Sequence, residues 1–72
     1  MELQNLILNI IPTDTPITSD EITHILLSYK DINMPITRAR VAAHCTVLAM
    51  RGPVMKVTVS RSGLMKAAYI KI

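Results

Sequence analysis

The tripeptide Arg51-Gly52-Pro53 divides this chain into two periodicities. A base in the last turn, a glycine free to take a left-handed cap and a proline that cannot continue the helix together stop a helix. Before this point apolar residues recur at three- and four-residue spacing. After it, Val54 to Ile72 is rich in β-formers and carries Arg61-Ser62-Gly63 at its middle, which reads as a hairpin over about 54–72. Helices first and a hairpin last make an α+β chain.

Upstream of the stop, three helices are predicted. Leu3, Leu6, Ile7, Ile10 and Ile11 share one face of a first helix, about 2–11, which Pro12 ends. Thr13 to Ile17 reads as turn and extended chain. Thr18 followed three residues later by Glu21 is a capping box, each side chain satisfying a backbone donor of the other residue. It opens a second helix, about 19–29, that buries Ile22, Ile25, Leu26 and Tyr29, with Asp20 and Glu21 against its positive end. Asn33 and Pro35 interrupt the chain, and Thr37 caps a third helix, about 38–51. Its inward stripe is Val41, Cys45 and Leu48, flanked by Ala42 and Ala49. At about 100° per residue, its outer face carries Ala39, Arg40, Ala43, Thr46, Val47 and Met50.

Two turns are open to the hairpin. A two-residue Ser62-Gly63 turn puts Val57 and Val59 on the same face as Lys66. A three-residue Arg61-Ser62-Gly63 loop, with Gly63 left-handed, gathers Met55, Val57, Val59, Met65, Ala67 and Tyr69 on one face. It leaves Lys56, Thr58, Ser60 and Lys66 on the other and Arg61 at an exposed tip. The longer loop is the expected one, because it separates apolar from polar.

The 72 residues make a single domain, 1–72. Half of them are apolar, yet a chain this short buries only about 60% of the surface its unfolded form exposes. A partner or a second copy is therefore expected to cover the excess. The homodimer contact is expected at Leu3, Leu6, Ile7 and Ile10 of the first helix, with the hairpin edge second; the alternative for most of that stripe is packing on the second and third helices. Phe and Trp are absent and only two Tyr are present, which argues against modules that stack single-stranded bases on aromatic rings.

The net charge of +3 conceals a split: residues 1–31 hold all five acids and one base, residues 32–72 seven bases and no acid. A one-sided cation of this kind points to a polyanionic partner, or to an acidic protein or membrane surface. The apolar N-terminal stretch lacks a basic flank and is too short to span a bilayer, so no membrane partner is expected. The lone Cys45 suits a reducing compartment, and a cytoplasmic location is expected. His44, adjacent to Cys45, diverges from it on a helix, and His24 stands alone, so neither a metal site nor a cofactor is expected. Two glycines make no phosphate loop, and no nucleophile, base and orienting group share a recognisable spacing. The chain does not read as an enzyme.

The order of elements, with Ile17-Thr18-Ser19-Asp20-Glu21-Ile22 opening the second helix, Ile36-Thr37-Arg38-Ala39-Arg40-Val41 the third and Leu48 to Val54 leading into the hairpin, resembles the three-helix winged helix-turn-helix domain. The resemblance spans nearly the whole chain and implies double-stranded DNA binding by a small transcriptional regulator, of a size similar to those of phages. It implies that the third helix enters the major groove and that the wing touches the backbone. By position, Thr37, Arg38 and Arg40 would face DNA, Arg38 or Arg40 making a bidentate contact to guanine. Lys56, Arg61 and Lys66 would contact phosphates; His44 would do so or pack partly buried. The Ala/Val/Met outer face of the third helix is also what a protein-interaction module, an assembly factor or small inhibitor, would present.

Overall fold

The computed structural model describes residues 2–72, in the order α1 (Leu3–Ile10), β1 (Ile17–Thr18), α2 (Ser19–Leu27), α3 (Arg38–Arg51), β2 (Val54–Arg61) and β3 (Leu64–Lys71). Three helices pack on a three-stranded antiparallel sheet of order β1-β3-β2. No described helix is long and apolar enough to cross a membrane.

Eight residues are too few for α1 to be stable alone, so its helicity depends on the face it buries. Leu3, Ile7 and Ile11, four residues apart, are 5%, 0% and 0% exposed and lie in the core with Ile22, Leu26, Val41, Cys45 and Leu48. This corrects the expected dimer contact. Leu3 and Ile7 have no surface left to offer a second copy, and Leu6 and Ile10 are half-buried against the same core. The stripe is the domain's own.

The capping box of α2 forms as the sequence predicts. The Glu21 N–H donates to Thr18 Oγ1 at 3.2 Å, and the Thr18 N–H donates to Glu21 Oε1 at 2.9 Å. The helix closes at Leu27, two residues early, because the N–H groups of Ser28 and Tyr29 bond three residues back, to Ile25 and Leu26. Tyr29, expected inside, lies beyond this end and is 43% exposed, and Ile25, also expected inside, lies within the helix but off its inward face of Ile22, Thr23 and Leu26 and is 37% exposed. Thr23 is tolerated there because its hydroxyl donates to Ser19 O at 2.7 Å.

Thr37 caps α3 through its hydroxyl, which accepts from the Arg40 N–H at 3.2 Å. Gly52 ends it at φ 108°, its N–H bonded to Leu48 O. Val41, Cys45 and Leu48 are buried, as their spacing requires. Two residues ahead of α2 add a strand the sequence does not announce: Ile17 pairs with Tyr69, and Thr18 with Ala68.

The hairpin corrects the expected register. Arg61 pairs with Leu64 across a two-residue turn, with Ser62 at φ 54° and Gly63 at φ 80°. Both central residues are left-handed, as in the tight turns whose twist matches that of the strands. Side chains at paired positions share a face. Val54, Lys56, Thr58 and Ser60 therefore lie with Met65, Ala67, Tyr69 and Lys71, and Met65, Ala67 and Tyr69 leave the face of Val57 and Val59. The reason lies at the far end of the hairpin: this register puts Tyr69 beside Val54 in the core, and both are nearly fully buried.

Candidate functional site

α3 has one open side. Ala39, Arg40, Ala43, Thr46 and Met50 are exposed and Val47 is half-exposed, while α1, α2 and β2 cover the rest of the helix. All seven bases of residues 32–72 lie on α3 or the hairpin: Arg38, Arg40 and Arg51 on the helix, Lys56 and Arg61 on β2, Lys66 and Lys71 on β3. No acid lies on those three elements.

The fold nevertheless brings two acids to them. α2 begins beside the start of α3 and the upper part of the hairpin, so the two carboxylates of its first turn meet bases that are distant in sequence. Asp20 Oδ1 lies 2.7 Å from Arg38 Nε, and Asp20 Oδ2 accepts from Arg38 Nη2 at 3.3 Å and from Lys66 Nζ at 3.2 Å. The Lys66 hydrogen bond, reinforced by the Arg38 charge, holds the Asp20 carboxyl below its ordinary value of 3.8. Arg61, expected at an exposed tip, instead turns back. Its Nη2 donates to Pro16 O at 3.3 Å and lies 3.6 Å from Glu21 Oε1. Glu21 is held below its ordinary value first by the Thr18 N–H, then by the Thr18 hydroxyl and Arg61.

Three of the five cations assigned to the interface are thus paired, and Arg38, Arg40, Lys56, Arg61 and Lys66 outnumber their two carboxylates by three. The ion pairs are largely exposed, the Arg38 side chain at 76%. Exposed pairs of this kind are each worth only about 0.2–1 kcal/mol. The Arg40 side chain donates from Nη1 to Pro35 O at 3.4 Å. Thr37 is exposed, with its hydroxyl committed to the cap. His44 stands apart, half-buried, its Nδ1 3.4 Å from Gln4 Oε1 of α1.

Sequence reasoning missed Asp20 and Glu21 as partners of the basic half. Their place in the first turn of α2 is already explained by the helix dipole and, for Glu21, by the capping box, and nothing in the linear order brings residues 20 and 66 together.

Cys45 is fully buried and its thiol is pushed up to about 11 by burial, which leaves it an inert part of the core. Among the described residues no group of three or more His, Cys, Asp or Glu side chains could hold a metal ion. A groove of about 400 Å³ lies between α2 and the start of α3, lined by Asp20, Thr23, His24, Leu27, Thr37 and Arg38. Compared with protein-family models, curated proteins and solved structures, the chain matches none of them.

Proposed function

We propose that this α+β domain is a winged helix-turn-helix module that binds double-stranded DNA as a small transcriptional regulator, α3 entering the major groove and the hairpin following the phosphate backbone. One observation carries this reading: every base of the acid-free half lies on α3 or the hairpin packed beside it, and α3 keeps one side open. The N-terminal turn of such a helix meets base edges, which is the position of Thr37, Arg38 and Arg40. Lys56, Arg61 and Lys66 supply affinity and register. The exposed helical face offers few hydrogen-bonding groups, so sequence discrimination falls mainly to Arg38 and Arg40, with methyl contacts to thymine from Ala39 and Ala43. Two copies on neighbouring half-sites give such a module a useful affinity. With the α1 stripe buried, the outer edge of β2 is the available contact for a homodimer.

The test is association with a labelled duplex across salt concentrations. With about four phosphates neutralised, the log-log slope is near −3.6 and affinity falls roughly a hundredfold between 50 and 200 mM salt. No association at 50 mM salt overturns the proposal.

A second reading has its own support. Met50 is 81% exposed on the open side of α3, beside Ala39, Ala43 and Val47, and small residues there let another backbone approach closely. A protein partner on this face is favoured if Ala43→Glu or Val47→Glu abolishes function in a chain with no measurable duplex affinity.

A further inference from the structure

We propose that Asp20 is a positioning residue for Arg38, which it orients so that the far end of the guanidinium is presented to a guanine; this rests on the DNA-binding reading above. A guanidinium has five N–H donors in a rigid plane: one on Nε and two on each terminal nitrogen. Asp20 engages the Nε side, through Oδ1 at 2.7 Å and through Oδ2 from Nη2 at 3.3 Å. Among the described residues no other group accepts from Arg38, which leaves one outward N–H on each of Nη1 and Nη2. These form the end-on fork that matches the O6 and N7 acceptors of guanine.

Without Asp20, a side chain that is 76% exposed would sample many rotamers, and ordering it would cost entropy at each encounter with DNA. Asp20 makes that choice in the free protein. Lys66 completes the device by sharing Oδ2 at 3.2 Å, so that Arg38, Lys66 and Asp20 together keep one positive charge and the carboxylate does not turn phosphates away. Asp20 is itself held by the first turn of α2, whose capping box belongs to Thr18 and Glu21 and survives replacement of Asp20. A carboxylate that is not a DNA contact thereby sets the specificity of a guanidinium that is.

The experiment is selection from a randomised 20-base-pair duplex pool by the intact chain, its Asp20→Asn and Arg38→Ala variants and the double variant. Affinity is then measured for the sequence selected by the wild-type chain and for the unselected pool. Asp20→Asn is expected to raise affinity for the unselected pool, since a negative charge is lost, while the ratio of selected to unselected affinity falls about fivefold. In the Arg38→Ala background the same change is expected to leave that ratio within twofold. The Arg38 Nε–H resonance of the free protein, paired with Asp20 in the wild type, is expected to exchange faster with water in Asp20→Asn. A ratio unchanged by Asp20→Asn overturns this role alone, as does an equal fall in the Arg38→Ala background. Failure of the wild-type chain to bind any duplex overturns the DNA-binding reading, and this role with it.

Discussion

Replacing Ile7 by Ala separates two accounts of the first helix. Ile7 is 0% exposed and belongs to the central cluster with Ile22, Val41 and Cys45. Truncating such a side chain removes its transfer free energy and leaves a cavity, at a cost of about 3 kcal/mol within an observed range of roughly 2–5. A domain of this length has a total stability of about 4–10 kcal/mol, so the loss is a large part of it. At about 4–8 °C per kcal/mol, Tm is expected to fall by about 12–24 °C. Thermal melts followed by circular dichroism at two protein concentrations decide the matter, with Leu6→Ala on the half-buried flank as the smaller comparison. If Ile7 held two copies together, its removal would alter sedimentation and the concentration dependence of Tm while the melt at low concentration stayed within about 2 °C of wild type. That result would refute its place in the core.

Three further outcomes follow from the same structure. Ser62→Asn should raise Tm by about 2–4 °C, because Asn tolerates the left-handed backbone that Ser62 adopts at φ 54°; a fall in Tm would favour the three-residue loop. Asp20 and Glu21 are both held below their ordinary values of 3.8 and 4.5, so the stability they contribute is complete above those values and is lost as pH falls through their lower folded values. Acid titration of stability should therefore be flat from neutrality to about pH 5 and steepen below about 4.5, and the Asp20→Asn, Glu21→Gln pair should soften that drop. Cys45, buried and with its thiol pushed up from 9.0 to about 11, should react with iodoacetamide at pH 8 about a hundredfold more slowly in the folded chain than in denaturant.

Much of the architecture is legible before any coordinates. Thr18 with Glu21, Thr37, and Gly52 with Pro53 are local signals whose chemistry acts within one helical turn, and the cap bonds form where those residues stand. The inward stripe of α3 is equally local, since period alone places Val41, Cys45 and Leu48 together. What escapes the linear reading depends on distant parts of the chain. β1 is two residues long and exists only because β3 lies beside it. The hairpin register turns on whether Tyr69 or Val57 faces the core, which the helices decide. The charge split misleads for the same reason. Two carboxylates from the acidic half fold against Arg38, Lys66 and Arg61, so a half with no acid of its own is partly neutralised in space.

The central claim is that α3 and the hairpin form one surface for a nucleic acid duplex. Backbone amide shifts of the labelled chain, followed as random-sequence duplex is added at 50 mM salt, test it residue by residue. Shifts are expected to concentrate over 37–47 and 56–66 and to fade as salt is raised, with α1 and the connection around residues 29–34 unmoved. Unchanged spectra at that salt, or shifts confined to α1 and that connection, would contradict it.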